Sequence, residues 1–394
     1  MEKPAILGGK PYFNKLVPII RPTLPSFNEI EHNVSEILST GMITNHKYVQ
    51  EFESKLREYL KVENVVALSN CTTGLMLLGK CLKLNGEVIT PSFTFSATSL
   101  ALIWLGLKPI FVDCDLNKFT INPEKIIDKI NKKTCAILAT HIFGNPCNLQ
   151  KLEEISEDYR LKLIFDSAHG AGATYKGKYI GNFGDGESFS MSPTKVLTAG
   201  EGGMVTTNDN EIAECIRIGR NYANPGNYNT SFIGLSGRMA EFNAIIALKS
   251  LEMLEVNIAR RQKIVEYYKE HLSRLPGITF QKIEDNSRSS YKDFSIIIHS
   301  NEFELNRDQL YEALNHENVM TRKYFSPAVH QQIAFSSYIE KKSLDLSVTN
   351  KLAESVLCLP IYSHMELSLV REICDVIEKI YHYRHEIKLH LEKV

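Results

Sequence analysis

The chain has 394 residues, of which 43% are hydrophobic and 23% are charged, and its formal net charge is −1. This near-neutral balance argues against a protein that coats nucleic acid or an anionic membrane, because neither target would attract it electrostatically. The length allows two or three domains, and the composition is that of an ordinary soluble globular protein.

Targeting and cysteine patterns point to a reducing compartment. The N-terminal residues have no apolar signal-peptide core, and no apolar run reaches the ~18 residues that cross a bilayer. We therefore expect a cytoplasmic protein with no membrane contact. The eight cysteines are scattered and never form a CxxC pair. We expect reduced thiols and no metal site.

From about residue 64, short β-branched runs alternate with stretches of helical periodicity. The predicted strands are 65–69, 87–91, 109–113, 135–143 and 161–166. The predicted helices between them are 73–84, 96–106 and 123–132. Continuous apolar runs suit strands that are buried on both faces of a parallel sheet, and their alternation with helices predicts an α/β layered domain.

The pattern changes after residue 208. The elements predicted there are helices 209–221 and 238–270, strands 278–283 and 291–300, a helix from Arg307 to Asn315, and a closing helix near 366–390. We assign residues 1–255, with an N-terminal arm 1–25, to a large domain. Residues 256–394 are assigned to a small C-terminal domain of α+β type, whose strand pattern begins near Gly277.

Two candidate polar groups follow predicted strands, where ligands bind in open α/β sheets. Asp166 ends a strand, and a half-buried carboxylate there stays ionised only if a cation or donor meets it. The alternative is an N-cap for the next turn. The hydroxyl-rich turn 69–75 opens a helix, so its free N–H groups suit an anion such as phosphate. An ordinary cap is the alternative, because neither GxGxxG nor a P-loop is present.

An aromatic pair and a lysine complete the candidates. Phe93 and Phe95 alternate after a strand, so one ring can face a cleft and stack on a flat ligand; core packing is the alternative. Lys195 lies between hydroxyl residues and glycines, in SFSMSPTKVLTAGEGG. A partly desolvated lysine has a lowered pKa and can act as an amine nucleophile; an exposed solubilising lysine is the alternative.

Together these features are the set that holds pyridoxal phosphate. The turn and Ser190 would bind the phosphate, and a phenyl ring would stack on the pyridine. Asp166 would keep the pyridine nitrogen protonated, and Lys195 would carry the aldehyde.

The sequence also resembles a known family. The segments FDSAHGAGA (165–173), SFSMSPTK (188–195) and TAGEGGMVTTND (198–209) resemble the DegT/DnrJ/EryC1/StrS sugar aminotransferases. The resemblance runs from LGGKP near the N-terminus to VMTRKYFSPAVHQQ (319–332). It implies fold type I, with a three-layer α/β/α large domain around a mostly parallel sheet and a smaller C-terminal α+β domain.

The resemblance implies a role for each matching residue. Lys195 corresponds to the Schiff-base lysine and Asp166 to its acid. The other cofactor-binding positions are Cys71, Thr72, Phe95, His169, Ser190 and Ser236, the last standing where an Asn commonly reaches the neighbouring subunit's phosphate. The implied substrate-binding positions are Arg238, Tyr324 and His330, of which Arg238 belongs to a segment that usually reaches the partner's site.

The implied function is amino-group transfer from L-glutamate to a nucleotide-linked keto-sugar in surface-polysaccharide biosynthesis. A dTDP-4-keto-6-deoxyhexose is favoured over a 3-keto sugar, and a homodimer with shared active sites is expected. Lys195 argues against the family's dehydratase branch, in which a His replaces the lysine. A non-catalytic regulatory protein of this fold and an NAD-dependent dehydrogenase are further alternatives, the latter disfavoured by the missing GxGxxG.

Overall fold

The computed structural model describes residues 2–339 and 345–393. Its centre is a seven-stranded sheet with the order β1-β9-β8-β5-β4-β2-β3, in which only β9 runs antiparallel to its neighbours. These strands are β1 Asn64–Leu68, β2 Glu87–Pro91, β3 Lys108–Val112, β4 Thr134–Thr140, β5 Lys162–Asp166, β8 Gly186–Ser190 and β9 Gly203–Thr207. A separate two-stranded ribbon pairs β6 Thr174–Tyr175 with β7 Lys178–Tyr179.

Helices surround the sheets. Those of the first part are α1 Phe27–Thr40, α2 Lys47–Leu60, α3 Cys71–Cys81, α4 Ser96–Trp104, α5 Pro123–Ile127, α6 Leu149–Asp158, α7 Asn210–Gly219 and α8 Glu241–Glu252. Those that follow are α9 Leu254–Leu272, α10 Ser300–Phe303, α11 Arg307–His316, α12 Ser347–Ser355, α13 Leu367–His382 and α14 Arg384–Leu391. None of the helices within the described ranges is long and apolar enough to cross a membrane.

The strands of the large sheet are covered on both faces. In β5, Leu163 and Phe165 point into a core shared with α2, α6 and α8, whereas Ile164 points into the core beneath α3 and α4. Such alternation places successive side chains on opposite faces of a sheet. The continuous apolar runs of the sequence therefore reflect burial on both sides, and the predicted α/β fold with its three layers is confirmed.

A smaller antiparallel sheet lies in the C-terminal part of the chain. Its strands are β10 Ile278–Phe280, β11 Phe294–Ile298 and β12 Val356–Leu359. A second core forms around it with α11 and α13, and the N-terminal arm joins this core through Ile6 and Val17. The arm thus packs on the C-terminal part rather than on the large sheet. Helix α9 runs through the predicted boundary at residue 255 and contributes to both cores.

Three predicted helices end earlier or divide. Helix α5 stops at Ile127 instead of 132, because Lys129 and Ile130 donate backbone bonds three residues back and Asn131 then forms a turn with Thr134. The predicted helix 238–270 divides into α8 and α9 at Met253, and the closing helix divides into α13 and α14 at Tyr383. Periodicity continues across such breaks, so the sequence pattern does not reveal them.

Other boundaries also differ from the predictions. Strand β4 ends at Thr140, and residues Ile142–Gly144 form a short 3₁₀ turn in which Phe143 has a φ of 59°. Helices α1, α2, α6 and α12 are not among the predicted elements. They are amphipathic helices: the apolar faces of α1, α2 and α6 pack into the core shared with the large sheet, whereas Leu352 of α12 packs into a separate cluster around Phe93 and Phe143.

The expectation that all thiols are reduced is wrong for one pair. Cys81 and Cys215 form a disulfide with a Cα–Cα distance of 5.8 Å, within the usual range for such a bond. Cys81 ends α3, and Cys215 lies in α7, which packs beside it. The two residues are 134 positions apart, so their spacing in the sequence carried no sign of this pairing.

Candidate active site

A cavity of about 350 Å³ opens at the carboxyl edge of the large sheet. The loops that follow β1, β2, β4, β5 and β8 all end there, since parallel strands present their carboxyl ends at one edge. Two segments of the C-terminal part close it from the other side. The polar and aromatic lining residues are Asn70, Cys71, Thr72, Thr94, Phe95, Thr140, Asp166, His169, Ser190, Ser192, Thr194, Lys195, Lys292, Asp293, Tyr324 and Phe325.

Lys195 follows β8 in a tight turn, closed by a bond from its amide to the carbonyl of Ser192 (3.0 Å). Among the described residues, no carboxylate lies within 4.0 Å of its ammonium. Burial and the nearby positive charge of Lys292 lower the pKa of Lys195 to about 8. At neutral pH a minor fraction of this side chain is therefore an uncharged amine, the nucleophilic form, and this fraction is far larger than that of an exposed lysine.

Asp166 ends β5 and is only 5% exposed. Its Oδ2 accepts a hydrogen bond from the hydroxyl of Thr98 (2.6 Å), and its Oδ1 accepts one from the amide of Ala168 (3.1 Å). The thiol of Cys71 lies 3.7 Å from Oδ1. The carboxylate therefore caps the following turn, as the alternative interpretation held, and also lines the cavity. Both interpretations describe part of what it does.

The turn before α3 exposes free backbone donors. Asn70 is the N-cap, and its side chain accepts from the amide of Thr73 (2.8 Å). The amides of Cys71 and Thr72, at the first positions of the helix, have no acceptor within the helix. Gly203 on β9 passes so close that a Cβ there would lie 2.2 Å from the carbonyl carbon of Asn70. This close approach holds the turn against the sheet.

The two phenylalanines after β2 differ in burial. Phe93 is fully buried and makes edge contacts with the rings of Phe119, Phe143 and Phe325. Phe95 is 61% exposed and lines the cavity, with its ring centroid 6.4 Å from that of Phe325. The core-packing interpretation is thus correct for Phe93, whereas the ring of Phe95 is available to a flat ligand.

His169 and Tyr324 also line the cavity. The amide of Phe143 donates to Nδ1 of His169 (3.1 Å), so the ring proton of the neutral imidazole is on Nε2. Burial and the ammonium groups of Lys195 and Lys292 hold the pKa of His169 well below its usual range. Burial raises the pKa of Tyr324. Both rings are therefore neutral hydrogen-bonding groups at physiological pH.

Three predicted site residues lie outside the cavity. Arg238 donates to Asn221 Oδ1 (2.5 Å) and lies 3.5 Å from Ser236 Oγ, on a surface segment beside the turn before α3. His330 lies 2.7 Å from the hydroxyl of Ser92, and burial lowers its pKa. The structure of a single chain thus brings eight of the predicted positions together but leaves Ser236, Arg238 and His330 away from Lys195.

Several residues at the site were not among the positions predicted from the sequence. Lys292 and Asp293 come from the C-terminal part, and Thr98 binds Asp166 from the first turn of α4. A lysine and an aspartate directly before the apolar strand β11 were the available signal, because charged residues next to a buried strand need a partner. Within the described part of the chain, no three metal-ligating side chains cluster.

Comparisons with known proteins agree with this geometry. A family model described as the DegT/DnrJ/EryC1/StrS aminotransferase family matches residues 26–378. The dTDP-4-amino-4,6-dideoxy-D-glucose transaminase of Escherichia coli is 32% identical over 92% of this chain and 98% of its own length. The GDP-perosamine synthase of Vibrio cholerae is 31% identical over 93% and 99%.

Among solved structures, DesI in the presence of its TDP-sugar product superposes with a TM-score of 0.93. The two chains are 30% identical, and the alignment covers 98% of each. An aminotransferase of the same family from Brucella abortus has a TM-score of 0.84 at 28% identity, covering 90% of this chain and 95% of that one.

Proposed function

Because the chain belongs to the DegT/DnrJ/EryC1/StrS aminotransferase family and is therefore an aminotransferase, we propose that it uses pyridoxal phosphate to move an amino group from L-glutamate to a nucleotide-linked keto-sugar. The observation that carries this proposal is the single cavity in which Lys195, Asp166, Phe95 and the turn before α3 meet. These groups come from four separate segments that the sheet brings to one edge, and each has the chemistry that one part of the cofactor requires.

The lining residues fit this cofactor. The free amides of Cys71 and Thr72 at a helix N-terminus, with the hydroxyl of Ser190, suit its phosphate. The buried carboxylate of Asp166 suits the pyridine nitrogen, and the exposed ring of Phe95 suits its flat face. When bound, pyridoxal phosphate supplies an aldehyde that carries the amino group and a ring that accepts electrons.

Lys195 has two tasks in this proposal. Its amine attaches the cofactor, and once released it takes the proton from Cα of the donor and delivers it again on the other side of the transfer. A base for this proton must be neutral before it acts. The lowered pKa of about 8 supplies that form near neutral pH.

The relatives support a nucleotide-sugar acceptor. The Escherichia coli relative is a dTDP-4-amino-4,6-dideoxy-D-glucose transaminase, and the DesI structure contains a TDP-sugar product. A transaminase for dTDP-3-amino-3,6-dideoxy-α-D-galactopyranose from Aneurinibacillus thermoaerophilus is 31% identical. We favour a dTDP-4-keto-6-deoxyhexose, with the 3-keto sugar as the second candidate, and amino-sugar or surface-polysaccharide biosynthesis as the setting.

The direct test is a substrate screen. Purified protein with pyridoxal phosphate and L-glutamate is incubated with dTDP-, UDP-, GDP- and CDP-linked keto-sugars, and amino-sugar products are detected by mass. We expect product with a dTDP-linked 4-keto sugar, and none from K195A or from protein without glutamate. Product from K195A at the wild-type rate, or no response of the cofactor's visible absorbance to glutamate, would refute the proposal.

A further inference from the structure

Lys292 and Asp293 are two buried charged residues of the cavity wall that the proposed function leaves without a task. They precede β11 and are each 5% exposed. The ammonium of Lys292 lies 2.9 and 3.0 Å from the two carboxylate oxygens of Asp293, and both residues line the cavity that contains Lys195. The pair comes from the C-terminal part of the chain and therefore faces the loops of the large sheet.

This wall carries more positive than negative charge. Arg261, 2% exposed, donates to the carbonyl groups of Tyr291 and Lys292 and to the hydroxyl of Ser363. No carboxylate among the described residues lies within 4.0 Å of Arg261. Asp293 is the carboxylate that acts on it electrostatically, and it raises the pKa of Arg261 against the effect of burial. Two buried cations thus share one carboxylate.

A surplus buried cation is costly unless an anion compensates it. Among the described residues that line the cavity, the cations are Lys195 and Lys292 and the carboxylates are Asp166 and Asp293. In the proposed function Lys195 is committed to the reaction and Asp166 to the pyridine nitrogen, which leaves Lys292 and the nearby Arg261 with Asp293. Lys292 has three donor positions, and Asp293 is its only carboxylate partner among the residues that the structure describes, so it can bind a second anion without losing the first. The cavity wall is therefore built to receive a small anionic group.

The chemistry of the amino donor identifies the anionic group that this wall receives. The α-carboxylate of an amino acid is bonded to the Cα that must reach Lys195, so it necessarily enters the same cavity. The diphosphate of a nucleotide sugar is attached to a carbon away from the ketone and extends outward. We infer that Lys292 binds the α-carboxylate of the amino donor and, with Asp293 fixing its position, selects α-amino acids as donors. This inference rests on the proposed function.

The test measures binding of α-methyl-L-glutamate to the holoenzyme by isothermal titration calorimetry, because this analogue has no α-hydrogen and is not consumed. We expect the Kd to rise at least tenfold in K292M, about 1.4 kcal/mol, and to return to within about threefold of wild type in K292R. In K292M, Asp293 keeps Arg261 as a counterion, so the fold should persist.

The control is K379M, which removes another buried lysine paired with an acid, Glu317, outside the cavity. Its Kd should not change.

Amide analogues separate the two carboxylates of the donor and need only the wild-type protein. α-Methyl-L-isoglutamine lacks the α-carboxylate charge, and α-methyl-L-glutamine lacks the side-chain charge. We expect wild type to bind α-methyl-L-glutamate at least tenfold more tightly than α-methyl-L-isoglutamine, and K292M to lose this preference while keeping the penalty for α-methyl-L-glutamine. An unchanged Kd in K292M, an equal loss for α-methyl-L-isoglutamine, or a lost penalty for α-methyl-L-glutamine alone would overturn the inference.

The proposed function has its own readout in the same experiments. If wild type transfers the amino group from glutamate but K292M binds the donor normally, only the inference about Lys292 is wrong. If wild type shows no cofactor response to glutamate at all, the proposed function fails and this inference fails with it.

Discussion

At the scale of single residues, Lys195 shows how position changes chemistry. An exposed lysine is protonated at neutral pH, with a pKa near 10.5. In the cavity, burial removes water from the ammonium and Lys292 adds repulsion, whereas Asp293, Cys71 and Asp166 oppose the shift only partly. The result is an amine that is reactive near neutral pH, which a solubilising surface lysine would not be.

The pH dependence of this amine can be measured without turnover. In cofactor-free protein, the rate at which trinitrobenzenesulfonate modifies Lys195 should rise with pH and level off above about 8, because only the neutral form reacts. Peptide mapping by mass spectrometry assigns the rate to Lys195. The exposed Lys151 serves as the control, and its modification rate should keep rising to a higher pH. A rate at Lys195 that keeps rising through pH 10 would show that the amine is not perturbed.

Asp166 supports a prediction of the same kind. D166N keeps the size of the side chain and its bond to Ala168 but removes the negative charge. We expect the rate of amino transfer to fall at least about 100-fold while some cofactor still binds, since the amide cannot stabilise a protonated pyridine nitrogen. Product formation is measured by mass, and D158N, a change on the exposed end of α6, is the control. Unchanged kinetics in D166N would mean that another acid has this role.

At the scale of elements, α3 connects the site to the rest of the fold. Its first turn provides the free amides at the cavity, Ser188 donates to the carbonyl of Cys71 (2.9 Å), and its last residue is bonded to α7 through Cys81 and Cys215. The helix is therefore held at both ends. A change that loosens it should affect stability first and the geometry of the turn second.

This coupling predicts the effect of removing the disulfide. C81S should lower the free energy of unfolding by about 2–4 kcal/mol, because the bond closes a long loop in the unfolded chain. Guanidinium denaturation measures the change, and reduced wild type should match the variant. C135S, which alters a free thiol, is the control. Equal stability of C81S and oxidised wild type would show that the bond does not form in solution.

At the scale of the whole molecule, the positions of Ser236 and Arg238 suggest a second chain. Both lie on a surface segment next to the turn before α3, since Gly237 packs against Thr73 and accepts a bond from the amide of Ser69. They nevertheless do not line the cavity of their own chain. We propose a homodimer in which this segment contributes to the partner's site.

Complementation between two inactive variants tests shared sites. K195A and R238A are each expected to lose at least about 90% of activity on their own. After mixing and subunit exchange, a heterodimer would contain one site with both wild-type residues, so activity should return toward a quarter of wild type. Sedimentation velocity checks the dimer, and K195A mixed with D166N is the control that should stay inactive. No recovery with R238A would place both residues in one chain's site, or show that Arg238 has no role.

How much was predictable from the sequence differs between the parts of the site. Asp166, Phe95 and the turn at Cys71 lie at or just after the ends of predicted strands, which can be read from local apolar runs. Lys195 follows β8, which is not among the predicted strands, and the hydroxyl residues and glycines around it made it a candidate. The charged pair before β11 indicates that Lys292 needs a partner, but the distances of Lys292 and His330 from Lys195 depend on how the C-terminal part packs against the large sheet. No local pattern reveals the boundary between α8 and α9, because their division at Met253 leaves the periodicity intact.

The sequence by itself determined the alternation of strands and helices, and with it the edge at which polar loop residues collect. Periodicity and turn residues are local properties, so they can be identified from the sequence without knowledge of the fold. Only the tertiary structure decided that Cys81 meets Cys215, that Lys292 and Arg261 share Asp293, and that no carboxylate of the described residues lies within 4.0 Å of the Lys195 ammonium. The physical reason is that burial and electrostatic coupling depend on distances between segments that are far apart in the chain, which packing alone sets.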